Sequence, residues 1–168
     1  MIKFDDVQNN SLEEQVVNYL LQHNETISCA ESCTGGLLSG RIINVAGVSA
    51  AYKQGYITYS DEAKEQVLHI PKNILEQYTA VSDMTARKMA EGVCNITNSD
   101  WSLATTGYAG PEGGENGDPA GLVYIACCHH GQTWSRKLLL TGTRQQIREE
   151  AVTKALCLLA QQMNGDNI

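Results

Sequence analysis

Several things are scarce in this chain, and each scarcity closes off a class of protein. Only 3 prolines occur in 168 residues, and aromatic residues make up 6%. No proline-rich or low-complexity linker interrupts the sequence, and no internal repeat is visible. Basic residues are outnumbered, 12 Lys and Arg against 19 Asp and Glu, for a formal net charge of −7. A duplex binder needs a clustered basic face, so no nucleic-acid partner is expected. No apolar run is long enough to span a bilayer, so no membrane partner is expected either. The start, Met1-Ile2-Lys3-Phe4-Asp5-Asp6, lacks the charged-then-apolar plan of a signal peptide, so a cytoplasmic protein is expected.

Familiar motifs are missing too. There is no G-x-G-x-x-G and no G-x-x-x-x-G-K-[ST], which disfavours a Rossmann cofactor and a nucleoside triphosphatase. There is no G-x-S-x-G elbow, which disfavours an α/β-hydrolase triad. The 6 cysteines include the pairs Cys29/Cys33 and Cys127/Cys128, neither spaced as C-x-x-C. They read as small buried hydrophobes, and no metal is expected. His129-His130 are neighbours, so on a strand their rings point to opposite faces, a poor chelate at a solvated strand end.

What is present reads as one α/β domain over residues 1–168, with a core of about 10–163. Hydrophobic content of 42% and charged content of 18% suit a globular fold. Ser11 and Glu14 predict a capping box on a first helix. A short apolar strand over residues 26–30 runs into the turn Glu31-Ser32-Cys33-Thr34-Gly35-Gly36, and a helix follows to about Val45. A strand is expected at Tyr56-Ile57-Thr58-Tyr59. Ser60, Ser82 and Thr143 are placed to cap helices, and Pro71 to open one. An apolar strand over 101–106 leads into a glycine- and proline-rich loop, a segment of the length and kind that is usually functional. A hairpin turning at His130-Gly131 and a last helix complete the pattern; the tail from Asn164 is expected to fray. Strands alternating with helices, plus one hairpin, predict a three-layer α/β/α sandwich with a mixed, mostly parallel sheet.

Three polar segments stand out: residues 31–36, 49–64 and 105–111. The first and third directly follow apolar strands, so both belong at the carboxyl edge of the sheet, where open α/β sheets bind ligands. Backbone N–H groups of a glycine turn above a helix start suit an anion or oxyanion. None of the three segments holds a histidine, so the base for any serine nucleophile is sought elsewhere. Lys64, near a helix N-terminus, has its neutral form favoured there, and a neutral amine can deprotonate a serine. The plain alternative is a surface lysine paired with Asp61, Glu62 or Glu65. Ser49 lies in a short loop ahead of the expected strand and could fold back onto it; Ser32 sits in the better-organised turn. Arg144 and Arg148 begin the last helix. Arg144 suits a phosphate, and Arg148 reads as a surface partner of Glu149 or Glu150.

Several motifs in register give these segments a common identity. Ala-Glu-Ser-Cys-Thr-Gly-Gly at 30–36, Ala46-Gly47-Val48-Ser49, the run from Gly55 to Lys64, Ala80-Val81-Ser82, Gly107-Tyr108-Ala109-Gly110-Pro111 and Pro119-Ala120-Gly121 together resemble the CinA C-terminal-domain family. The chain looks like a stand-alone member of it. The resemblance implies a nicotinamide mononucleotide deamidase, which hydrolyses the carboxamide to nicotinate mononucleotide and ammonia. It implies no metal or organic cofactor and a homo-oligomer. By the same resemblance Ser49 matches the nucleophile, Lys64 its base and Tyr59 a neighbouring hydroxyl. Ser32, Thr34, Gly35 and Gly36 match one wall of the substrate pocket, and Thr105, Thr106, Gly107, Ala109 and Gly110 the facing wall. Arg144 is the residue assigned to the substrate phosphate. Other members, fused to a second domain, are linked to competence and DNA damage. A non-catalytic pyridine-nucleotide-binding module and a protein-interaction domain are therefore the alternative readings.

Overall fold

A computed structural model describes residues 10–165. The expectations for Met1 to Asp6 and for most of the tail lie outside the described residues. The element order is α1 (Leu12–His23), β1 (Ile27–Glu31), α2 (Leu37–Ile43), a short 3-10 turn (Val48–Ala50), β2 (Tyr52–Ile57), α3 (Asp61–Leu68), α4 (Lys72–Tyr78), α5 (Asp83–Thr97), β3 (Trp101–Gly107), β4 (Leu122–His129), β5 (Gln132–Leu139) and α6 (Arg144–Met163).

The caps form where the polar residues were placed to make them. Ser11 and Glu14 close a capping box on α1, and Thr143 and Gln146 close another on α6. Ser60 accepts from Ala63 N–H on α3, and Ser82 from Thr85 N–H on α5. Each satisfies donors that a helix start leaves orphaned.

The five strands form one mixed sheet in the order β2-β1-β3-β4-β5. β1 pairs in parallel with β2 and with β3, while β4 runs antiparallel to both β3 and β5. Four strands thus share one direction and β4 alone opposes them. Helices cover both faces. Ile27, Cys29, Leu103, Ile125 and Cys127 pack under α1, α2 and α6. Ala30, Ala104, Ala126 and Cys128 pack under α3, α4 and α5. β1, β3 and β4 are almost wholly buried, as strands sandwiched between helix layers must be.

Two local expectations are corrected. β2 runs from Tyr52 to Ile57, four residues ahead of the expected strand, because it is a polar edge strand in which Lys53, Gln54 and Gly55 are exposed. Such a strand carries no buried alternation to mark it. The two histidines do not point apart. β4 ends at His129, and His130 enters a left-handed turn at φ 47°, which carries its ring to within 4.1 Å of the His129 ring. Five of the cysteines are buried and Cys157 is half-buried; all are free.

Candidate functional site

β1 is flanked by β2 on one side and β3 on the other, and the chain reaches them through opposite helix layers. Its carboxyl end is therefore a topological switch point, where a crevice opens. The turn after β1, the segment joining β2 to α3 and the loop after β3 all meet there.

The turn is built around Glu31. This side chain is fully buried at the last position of β1. Its Oε2 accepts from Thr34 Oγ1 (2.6 Å), Gly36 N–H (2.9 Å) and Leu38 N–H (3.1 Å). Its Oε1 accepts from Ser39 N–H (2.8 Å) and Ser39 Oγ (2.5 Å). One carboxylate so replaces the missing acceptors at the start of α2, whose N-cap, Gly36, has no side chain to offer. Gly36 sits at φ 95°, a conformation that side chains resist. Thr34 spends its only hydroxyl proton on Glu31, so Thr105 Oγ1 must donate in the 2.7 Å contact between the two threonines. Thr105 also ties the turn down through its carbonyl, which accepts from Ser32 N–H.

Arg148 holds the turn from the other side. Its Nε donates to Cys33 O (3.0 Å) and its guanidinium to Thr34 O (2.8 Å). The expected pairing with Glu149 or Glu150 gives way to these two carbonyls, which lie more than a hundred residues away in sequence. Arg148 stands outside the site expected from the sequence, and Glu31, though within the 31–36 segment, has no role assigned there. Glu31 left a signal, since an acid closing an apolar strand ahead of a glycine turn has to be satisfied inside the fold.

Lys64 lies on α3 facing the same edge, with 1% of its side chain exposed. Its Nζ donates to Thr58 O (3.0 Å) and Tyr59 O (3.5 Å), and Asp61 Oδ1 is 3.9 Å away. Burial lowers its pKa; Asp61 and Cys33 pull the other way. The sequence expected the helix N-terminus to lower this pKa, but desolvation is the main cause. Thr58 N–H in turn donates to Glu31 O, so the lysine and the glycine turn share one backbone hydrogen-bond chain. Alternation along β1 sends Cys29 and Glu31 to the α2 and α6 side and Ala30 to the α3 and α5 side. Continued one residue past β1, the same alternation puts Ser32 on the lysine side; it is 8% exposed.

Arg144 joins the remaining pieces. It donates to Gly110 O (2.8 Å) after β3 and to Tyr59 Oη (3.4 Å) after β2. Tyr59 is 63% exposed, so its hydroxyl and the Arg144 guanidinium line the mouth of the crevice.

The structure brings together Ser32, Thr34, Gly35, Gly36, Tyr59, Lys64, Thr105, Gly110 and Arg144. It does not bring Ser49 to them within one chain. Ser49 sits in the 3-10 turn before β2, and all six residues of β2 run between it and Tyr59. At about 3.3 Å per strand residue this separation is on the order of 20 Å. Several expected pocket walls turn out to be supports. Thr34, Thr105 and Thr106 are fully buried and Ala109 nearly so. Thr106 donates its hydroxyl to Ala80 O on the α3 and α5 side of the sheet. Gly107 is required by packing: a Cβ there would lie 2.6 Å from Leu122 O and 2.7 Å from Val123 Cα.

The sheet order and this site together define an α/β/α sandwich that pairs a carboxylate-anchored glycine turn with a buried lysine. Residues 9–163 match the model of the CinA family, described as the CinA C-terminal domain. A putative competence-damage inducible protein of Clostridium novyi is 48% identical over 146 residues, 87% of this chain and 35% of the relative. One from Alkaliphilus oremlandii is 45% identical over 159 residues, 95% of this chain and 38% of the relative. The chain thus spans between 35% and 38% of the length of these curated relatives. Solved structures match along their length. A CinA superfamily protein of Klebsiella pneumoniae has a TM-score of 0.89 at 35% identity, covering 92% of this chain and 96% of its own. A competence/damage inducible protein of Agrobacterium tumefaciens has a TM-score of 0.83 at 32% identity, covering 98% and 99%. The chain belongs to the CinA C-terminal domain family.

No helix among the described residues is long and apolar enough to cross a membrane.

Proposed function

We propose that the chain is an amidohydrolase that deamidates nicotinamide mononucleotide through a serine–lysine mechanism, with Ser32 as the nucleophile of the single chain. The observation that carries this reading is Lys64: an amine 1% exposed, with a lowered pKa, held at the strand ends beside the glycine turn. A lysine whose neutral form is favoured is a base matched to a serine hydroxyl.

In this scheme Lys64 Nζ takes the Ser32 Oγ proton as Oγ attacks the carboxamide carbon. The carbonyl electrons move onto oxygen. That oxyanion falls to backbone N–H groups of the glycine turn. The C–N bond then breaks, its electrons and the proton on Lys64 go to nitrogen, and ammonia leaves. Water gives a proton to Lys64, its hydroxyl attacks the acyl group, and Ser32 recovers its proton as nicotinate mononucleotide departs. The electron-poor pyridinium beside the amide eases both attacks. Arg144, exposed and already bonded to Tyr59, meets the phosphate, where a planar guanidinium fits the oxygens. No step calls for a metal or an organic cofactor.

The β2 edge favours a second reading of the nucleophile. β2 is an open edge strand, with Ile57 57% exposed and Tyr59 63% exposed close to the site. A homo-oligomer that covers this edge could bring Ser49 of one copy to Lys64 of another. Ammonia release from nicotinamide mononucleotide, nicotinamide riboside and nicotinamide, measured side by side, tests the activity. Preference for the mononucleotide is expected; binding without ammonia release would leave a nucleotide-binding module instead. Ser32→Ala is expected to abolish release and Ser49→Ala to leave it. If Ser49→Ala is dead, mixing it with Lys64→Met decides between the copies: restored activity assigns the nucleophile to the second one.

A further inference from the structure

The opposite edge of the sheet holds a second cluster that the amidase chemistry does not use. Glu25 precedes β1, Trp101 opens β3, and His129 closes β4, so all three lie at the edge away from Glu31 and Lys64. β3 alone, at seven residues, separates the two edges by about 20 Å.

The cluster is ordered from beneath. Trp101 is 2% exposed and stacks on His129, with ring centroids 3.8 Å apart and planes 7° from parallel. The same indole donates to Glu25 Oε2 at 2.6 Å. One residue so fixes the imidazole plane and one carboxylate oxygen, and leaves the other oxygen aimed at His129: Glu25 Oε1 is 3.6 Å from His129 Nε2. That Nε2 is buried and makes no hydrogen bond among the described residues. His130 completes the group from the turn, its left-handed backbone placing its ring against His129. One ligand atom from each of Glu25, His129 and His130 lies within 4.8 Å of the others. Asp100, whose carboxylate accepts from Thr26, adds negative charge beside His130.

We propose that Glu25, His129 and His130 bind a borderline divalent cation of the Zn²⁺ type. Two imidazoles with one carboxylate and no sulfur match Zn²⁺, with Co²⁺ and Ni²⁺ as substitutes, and suit neither Ca²⁺ nor Mg²⁺, which take oxygen ligands. Three protein ligands leave room for water at the fourth position. The Trp101 bond to Glu25 is the outer-shell support that orients a metal ligand. The bound ion pins the lead-in of β1 to the tip of the β4–β5 hairpin.

The test is isothermal titration of Zn²⁺ into chelator-treated, dialysed protein, paired with Co²⁺ absorption and thermal unfolding. One Zn²⁺ per chain is expected. The Co²⁺ spectrum is expected to show d–d bands of nitrogen and oxygen ligation without a near-ultraviolet thiolate charge-transfer band. Saturating Zn²⁺ is expected to raise Tm by about 5–10 °C at a hundredfold excess over Kd. Three variants remove ligands gently. His130→Asn suits the left-handed turn, His129→Phe keeps a ring over Trp101, and Glu25→Gln keeps an acceptor for the indole. Each is expected to weaken Zn²⁺ by at least about tenfold and to reduce the Tm gain. The proposal is overturned by wild-type affinity in His130→Asn and His129→Phe, or by a thiolate band. Such a band would place the ion on cysteine thiolates instead.

Discussion

Two ionisable side chains are sealed at the carboxyl edge of the sheet, one at the last position of β1 and one in the first turn of α3. Glu31 is fully buried and accepts five hydrogen bonds, from two hydroxyls and three backbone N–H groups. Lys64 is equally buried and has two carbonyls, one at the 3.5 Å limit, and a carboxylate 3.9 Å away. A buried carboxylate so fully served is part of the framework. A buried amine so thinly served has its charged form penalised and is available for proton transfer. On the proposed reading, the contrast separates the residue that builds the crevice from the residue that acts in it.

The sharpest way to break that contrast is Lys64→Met. Ammonia release is expected to fall about 10³-fold, the scale of a lost general base. Stability is expected to hold or rise, because a long apolar side chain replaces a desolvated ammonium. A loss of stability would put Lys64 with Glu31 as framework. The pH dependence tests the same point. The folded pKa of Lys64 lies below its unfolded value, so between the two the unfolded chain binds more protons. The penalty on folding is therefore complete below the folded pKa and relieved as pH rises towards the ordinary lysine value. Urea unfolding is expected to show this rise in wild type and not in Lys64→Met, and activity in wild type to climb as pH passes through the folded pKa, where the stability rise begins.

Glu31→Ala comes next and should behave in the opposite way. It strands five donors at once, which is expected to cost about 3 kcal/mol or more in urea unfolding, with activity lost as the turn loosens. A stable but inactive Glu31→Ala would move Glu31 from the framework into the chemistry.

Local signals in the chain read true here and distant ones did not. The caps at Ser11, Ser60, Ser82 and Thr143 form because each is decided within four residues of chain. The buried strands β1 and β3 and the hairpin were legible from apolar runs and turn residues. β2 starts ahead of its expected place because an exposed edge strand carries no apolar pattern, and the earlier start keeps Ser49 from folding back towards Tyr59 within one chain. The crevice itself was legible in part. Its three segments stood at strand ends, but their roles depended on partners far away in sequence. Arg148 has two acids beside it on α6, which hid its bonds to Cys33 and Thr34 carbonyls. Alternation along β3 sends Thr105 to Thr34 and Thr106 to the α3 and α5 side, where its hydroxyl is spent on Ala80 O, although the two side chains have the same chemistry.

The two arginines of α6 extend the comparison at a smaller scale. Arg144→Ala is expected to raise KM for the mononucleotide roughly tenfold, the value of one charged hydrogen bond, and to leave turnover of the riboside unchanged. Arg148→Ala should instead lower stability and affect both substrates alike, because its bonds go to the backbone of the turn. Equal effects of Arg144→Ala on the two substrates would remove it from the phosphate.

The smallest expected effect lies deepest in the framework. Thr105→Val keeps shape and removes the hydroxyl that must donate to Thr34. Thr34 keeps its bond to Glu31, since its proton already points there, and loses only an incoming one. The cost is expected near 1 kcal/mol in urea unfolding, with ammonia release within about twofold of wild type. Thr34→Val removes the donor instead and leaves Glu31 Oε2 with one bond fewer and Thr105 without its acceptor, so it should cost more. If the order is reversed, the proton runs the other way along the pair, from Thr34 to Thr105, and the Thr34 hydroxyl is no part of what holds Glu31.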